Sequence, residues 1–151
     1  MNNLEIKIKR IENGKLPEYK TAGSVGADCY ARLSEDVIIK AGKLAIIPLG
    51  FAVEIPEGYE MQIRGRSGMA STFMIVGFTG TIDQDYRGEV SAIIFNLSET
   101  SFVIKNGDRI GQAIVCPIMK AEWEEVEKLS QTDRGAKGFG STGIADERKI
   151  D

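Results

Sequence analysis

The sequence contains no histidine, two cysteines and one tryptophan among its 151 residues. Without histidine there is no Ser-His-Asp or Cys-His nucleophile, and the commonest transition-metal ligand is missing. Cys29 and Cys116 are too few for a disulfide framework, and their separation argues against a structural zinc site. An excess of positive charge is missing too. The net charge of −3 supplies no general basic field to recruit nucleic acid, so any bound phosphate must be met by local donors. No apolar run is long enough to span a membrane, and "MNNLEIKIKR" alternates at once between apolar and charged residues rather than opening as a secretory signal. The expected setting is the cytoplasm, with neither membrane nor nucleic acid as partner. Catalysis is left with carboxylate, tyrosine, lysine, or a hard cation such as Mg²⁺.

What is present reads as β-structure. Short alternating or β-branched segments recur ("LEIKIKRI", "DVIIKAG", "LAIIPLGFAVEI", "YEMQIRG", "EVSAIIFNL", "SFVIKNG", "AIVCPIM"), separated by the turn signals "ENGK", "KAGK", "IPEGY" and "KNGD". Closely spaced strands with no amphipathic helix between them predict a sandwich or barrel rather than a parallel α/β sheet. "SGMASTFM" is compatible with a short helix after a serine cap. "AEWEEVEKL" is read as extended. From Gln131 the chain is poor in aliphatic residues and rich in Gly, Ser and Thr, which predicts a mobile arm, 131–151, behind a β-domain, 1–130.

Several segments carry candidate chemistry. In "GTIDQDYRG", Asp83 and Asp85 would face one side of a strand. "IRGRSGMAS" puts Arg64 and Arg66 on one face if the strand continues, followed by the Ser67 hydroxyl and Gly68. "KNGDRIGQAIV" sends the polar Gln112 into an apolar strand, where it needs a partner, while Asp108 and Arg109 can simply cap the turn. "TAGSVGADCYA" places Asp28 among small residues. In the arm, "RGAKGFGSTG" combines glycines with Arg134, Lys137, Ser141 and Thr142. Such glycines let backbone N–H groups approach phosphate, and Phe139 offers a face for a base. Each segment alone also fits a solvated turn or tail. Together they suit hydrolysis of a magnesium nucleotide by activated water.

With these segments in order, the chain resembles the trimeric dUTP diphosphatase (dUTPase) family from about residue 4 to residue 143. The resemblance rests on "AGSVGADCYA" (22–31), "GRSGMAS" (65–71), "GTIDQDYRGEV" (80–90), "NGDRIGQAIV" (106–115) and "RGAKGFGSTG" (134–143). It implies an all-β distorted barrel or jelly roll with at most one short helix. It also implies a homotrimer whose C-terminal arms cross to close neighbouring sites. The implied reaction turns dUTP and water into dUMP and pyrophosphate by in-line attack at the α-phosphorus. That reaction keeps uracil out of DNA and supplies dUMP for thymidylate synthesis.

The resemblance assigns roles as follows. Asp83 holds the attacking water and contacts the sugar 3′-hydroxyl, and Tyr86 packs under the sugar to exclude a 2′-hydroxyl. Asp85 is read as structural, holding an arginine or a turn. Backbone groups of a hairpin from Gly77 through Gly80, Thr81 and Ile82 read uracil. Arg66, Ser67 and Gly68 of a second subunit grip the α- and β-phosphates and Gln112 contacts the α-phosphate; Arg134, Ser141 and Thr142 serve the β- and γ-phosphates, Gly140 binds substrate beside them, and Phe139 stacks on the base. Mg²⁺ is held mainly by phosphates and waters, with Asp28 reaching those waters. Gly77 stands where many members carry asparagine, Ser91 where a longer side chain often lies, and Lys137 where glycine is frequent. A dCTP deaminase of the same fold would need a glutamate at the position of Ile93. A non-catalytic relative should have lost Asp83 or Phe139, and both are present.

Overall fold

The computed structural model describes residues 4–138. Its elements in chain order are β1 (Lys7–Arg10), β2 (Ala27–Tyr30), β3 (Val37–Ile39), β4 (Leu44–Pro48), β5 (Phe51–Glu54), β6 (Tyr59–Arg64), α1 (Ser67–Phe73), β7 (Ile75–Phe78), β8 (Gly80–Ile82), β9 (Ser91–Asn96), β10 (Phe102–Ile104) and β11 (Arg109–Pro117). The strands pair antiparallel in four sheets: β2-β11-β6-β8, β4-β9-β7, β1-β5 and β3-β10. The expected all-β fold with one short helix is what the chain forms.

Alternation drives the strands inward. Along β9, Ala92, Ile94 and Asn96 are buried while Ser91, Ile93 and Phe95 are only half-buried, the period-two pattern of a strand with one face on the core. All four sheets feed one apolar cluster, with Cys29, Ile39, Ile47, Phe51, Ile63, Ile75, Ile94 and Ile104 among its members. Asn96 is the polar exception. Its amide nitrogen donates to the carbonyls of Ile39 and Thr100, both at 2.8 Å, and its oxygen accepts from the Ser98 amide and hydroxyl. Full pairing is what makes a buried amide tolerable.

The turns behave as their residues dictate: Gly58 and Gly107, in "IPEGY" and "KNGD", adopt φ of +82° and +85°, which glycine enters without a Cβ penalty. Three strands were not evident beforehand. β2 hides in the segment read as a glycine-rich motif, because all four of its residues are buried and no alternation marks it. β7 and β8 hide in the segment read as a hairpin.

That hairpin is not one. Phe78 of β7 pairs with Ile93, whereas Gly80 of β8 pairs with Ile63, so the chain changes sheets at Thr79. Strand β6 ends at Arg64, which places Arg66 beyond it and not on a shared strand face. The helix forms as anticipated, but Arg66 occupies its N-cap position with no side-chain cap, and Ser67 is its first residue. "AEWEEVEKL" enters neither strand nor helix, and Trp123 within it is 93% exposed. The segment from Lys120 onward forms its own small unit; within it the Gly135 amide donates to the carbonyl and hydroxyl of Thr132, and the Lys137 amide to the carbonyl of Arg134.

Candidate active site

Asp83 directly follows β8 and opens a tight turn, in which the Tyr86 amide donates to the Asp83 carbonyl at 3.1 Å. The pair Asp83–Asp85 therefore sits at positions one and three of a turn rather than on one strand face. Both carboxylates are exposed. The scaffolding expected of Asp85 falls elsewhere: the neighbouring Arg87 guanidinium donates to the carbonyls of Gln84 and Tyr86. The glutamate six residues beyond Asp83, Glu89, is the carboxylate that holds an arginine.

Asp83 lines a cavity of about 390 Å³ together with Gly80, Thr81, Ile82 and Tyr86, so five sequence-predicted residues share one concave surface. Ile46, Phe78 and Ile93 add apolar lining, and Ser91 and Glu89 complete it. Ile93 puts a hydrocarbon, not an acid, where a deaminase would need its glutamate. Tyr86 curls back over Gly88, where a Cβ would meet the phenol oxygen at 2.4 Å, and its hydroxyl donates to the Glu89 carbonyl at 3.1 Å.

Gly77 does not line this cavity. A Cβ there would lie 2.5 Å from the Gly65 Cα, and one on Gly65 would lie 2.7 Å from the Gly77 amide. Glycine at both positions lets β7 pass the end of β6 at van der Waals contact, so an asparagine side chain has no room. Gly68 and Gly80 differ: nothing lies within 4 Å of an added Cβ at either. Packing does not require glycine there.

A second group gathers around Asp28. Register pairs Asp28 of β2 with Gln112 of β11, and Gln112 in turn with Arg64 of β6. The Gln112 amide donates to Asp28 Oδ1 at 3.1 Å, which answers why a polar residue enters that strand. The Arg109 guanidinium reaches Oδ2 at 3.3 Å, and Arg66 Nε approaches Oδ1 at 3.5 Å. A register shift between Arg109 and Gly111 is the local cause; a bulge of this kind re-aims a side chain. Asp28 is 3% exposed, and a buried charge persists only with such partners. Arg66 also donates to the Arg109 carbonyl at 3.2 Å, while Ser67 and Gly68 stand exposed at the start of α1. None of these phosphate-side residues lines the Asp83 cavity.

Arg134 turns onto its own loop, donating to the Lys137 carbonyl at 3.1 Å. Phe139, Gly140, Ser141 and Thr142 lie outside the described residues. Burial pushes the Cys29 thiol up to about 12, so it supplies no nucleophilic thiolate. No cluster of three acidic or sulfur ligands occurs among the described residues.

Sequence reasoning overlooked Arg109 and Glu89. Asp108 does cap the turn, accepting from the Lys105 amide at 2.8 Å, but Arg109 leaves the turn for Asp28. Glu89 binds Arg32 through a two-pronged pair, Nε–Oε1 and Nη2–Oε2, both at 2.7 Å. The guanidinium holds the Glu89 carboxyl below the usual carboxylate range. Its partner lies 57 residues away in sequence, so no local pattern could announce it.

An all-β scaffold with an exposed carboxylate at a strand end and a separate cluster of cationic and amide donors suits a hydrolase that handles nucleotides. A dUTPase family model matches residues 12–143. The deoxyuridine 5′-triphosphate nucleotidohydrolase of Bdellovibrio bacteriovorus is 46% identical over 149 residues, covering 96% of this chain and 100% of the relative. That of Treponema denticola is 45% identical, covering 94% and 100%. The Staphylococcus bacteriophage 80alpha dUTPase solved with dUPNHPP superposes with a TM-score of 0.86 at 29% identity, covering 94% and 100%. The chain belongs to the dUTPase family, and it is accordingly a nucleotidohydrolase.

Proposed function

We propose that this enzyme hydrolyses dUTP to dUMP and pyrophosphate by attack of water at the α-phosphorus, with Asp83 holding that water. The observation that carries the proposal is the exposed Asp83 carboxylate on a cavity shared with Tyr86 and the Gly80–Ile82 backbone. A carboxylate in that place contributes more by holding water in line than by removing its proton. Tyr86 forms the wall against a 2′-hydroxyl. The β7–β8 backbone supplies donors and acceptors for uracil, and the apolar Ile46, Phe78 and Ile93 keep competing solvent out. The open flanks of Gly68 and Gly80 let a ligand come up against the main chain.

Arg66, Gln112, Ser67 and Gly68 are assigned to the phosphates. That they do not line the cavity that holds Asp83 fits a site shared between subunits. This supports a homotrimer, as does the outer face of β4-β9-β7. There Leu44, Phe95 and Val76 form one cross-strand row and Ile46, Ile93 and Phe78 the next. Leu44, Ile46 and Phe78 are 49%, 64% and 58% exposed, a contiguous apolar face of the kind that marks an interface. Arg134, Phe139, Gly140, Ser141 and Thr142 are assigned to the arm that closes a neighbour's site.

For Mg²⁺, the donors present fit an outer role only. Each Asp28 oxygen has one protein hydrogen bond and a lone pair to spare for a metal-bound water, while no three-ligand acidic cluster exists among the described residues. When bound with the triphosphate, Mg²⁺ neutralises charge and keeps most of its waters. Asp28 orients those waters and, through its ion pairs, aims Arg66. The proposed setting is the cytoplasm, where the reaction keeps uracil out of DNA and furnishes dUMP for thymidylate synthesis.

The test is product analysis with dUTP, UTP, dCTP and dTTP in parallel. The expectation is dUMP and pyrophosphate from dUTP and slow turnover of the rest. Equal turnover of UTP, or ammonia released from dCTP, would refute the assignment.

A further inference from the structure

We propose that Arg32 and Glu89 are positioning residues for sugar selection, their ion pair fixing the Tyr86 ring that meets the deoxyribose. The inference rests on the role proposed above for Tyr86. That ring is 43% exposed, so packing alone holds it weakly. Its hydroxyl is tied to the Glu89 carbonyl, and its face lies over Gly88. The ring therefore goes where the backbone of residues 88–90 goes.

That backbone is pinned by a device built from distant parts of the chain. The Val90 amide donates to the Phe51 carbonyl and the Leu49 amide to the Val90 carbonyl, both at 2.9 Å. Between them, the Glu89 carboxylate accepts the Gly50 amide at 2.9 Å and both prongs of Arg32. Arg32 is itself held, by its amide on the Pro48 carbonyl and by its third nitrogen on Glu12 at 2.8 Å. Gly50 has φ +77°, and a Cβ on it would lie 3.1 Å from Arg32 Cδ and 2.5 Å from the Gly14 Cα. Glycine there clears the path along which Arg32 lies. A planar fork meeting a carboxylate fixes orientation as well as distance. The pair also reaches the cavity itself, since Glu89 lines it together with Tyr86.

Steady-state kcat/KM for dUTP and UTP, measured on the full-length Glu89→Gln, Arg32→Lys, Tyr86→Phe and Tyr86→Ala proteins, tests this. Lysine keeps the charge and loses the fork; phenylalanine keeps the ring and loses the link to Glu89. The dUTP:UTP ratio is expected to fall about tenfold in Glu89→Gln and Arg32→Lys, through the KM for UTP more than its kcat. Tyr86→Phe should fall with them, and the double Glu89→Gln/Arg32→Lys protein no further than either single, as members of one unit do. If the clamp variants lose only thermal stability and keep the parent ratio while Tyr86→Ala lowers it, the clamp is refuted and the sugar wall stands. An unchanged ratio in Tyr86→Ala overturns both. Should Glu89→Gln fail to fold, Arg32→Lys decides by the same ratio.

Discussion

Two aspartates of this molecule have opposite surroundings, and the proposed mechanism gives them different work. Asp83 stands exposed at the end of a three-residue strand, on the edge of a cavity. Asp28 is buried within a four-residue strand, with two guanidinium groups and an amide on its oxygens. The same side chain is thus left free to meet water in one place and committed to organising cations in the other. A carboxylate already paired with guanidinium and amide donors is suited to aiming them, whereas an exposed one is open to solvent and can hold an attacking water. In the proposed mechanism local backbone context, not residue type, decides which aspartate acts and which aligns.

The sharpest way to break this contrast is Asp83→Asn. The amide keeps the size and loses the charge, so turnover of dUTP should fall by about a thousandfold. A non-hydrolysable analogue should bind nearly as to the parent, because the change removes an interaction needed in the transition state rather than in the ground state. Single-turnover kinetics beside calorimetric titration would check it. Undiminished turnover would place the water elsewhere.

The two halves were not equally legible in the sequence. A strand with one buried face is readable because alternation is local: β9 lies in a segment identified by pattern alone. β2 escaped because both its faces are covered and one buried residue is a charged Asp28, a feature that makes sense only once Arg66 and Arg109 are in place. The β7–β8 segment reads as one hairpin, since sequence adjacency says nothing about a chain that changes sheets. Gly80, Thr81, Ile82, Asp83 and Tyr86 fall within seven consecutive residues and read together, whereas Ile46 joins their cavity from a distant strand. The ion pair Arg32–Glu89 spans 57 residues, and only tertiary closure brings it together.

Asp28→Asn tests the other half and should show the opposite kinetic signature. Its Oδ2 partner Arg109 and its neighbour Arg66 lose their counter-charge, at a cost of about 2 kcal/mol in folding stability for a charged, buried hydrogen-bonding group. With Arg66 no longer aimed, KM for dUTP should rise more than kcat falls. Urea denaturation with steady-state kinetics would show it. A variant as stable as the parent, with kcat alone reduced, would erase the distinction between the two aspartates.

The smallest effect concerns the wall behind Asp83. In the folded protein the carboxyl of Glu89 titrates below its ordinary value, chiefly because of the Arg32 guanidinium and, against the cost of burial, the Gly50 amide. A group whose folded pKa is depressed binds fewer protons folded than unfolded, so acid favours unfolding. Its stabilisation is complete above the ordinary glutamate value, begins to fade as pH drops through it, and is gone below the depressed one. Arg32 and Glu89 side chains are 21% and 23% exposed, and a two-pronged pair at that depth is worth about 1 kcal/mol. Denaturation midpoints measured from pH 6 down to about pH 3 should therefore fall less steeply for Glu89→Gln than for the parent across the window just below the glutamate value. Parallel curves would mean that the pair adds no pH-dependent stability, and that the Gly50 amide and the two backbone bonds at Val90 hold the wall without it.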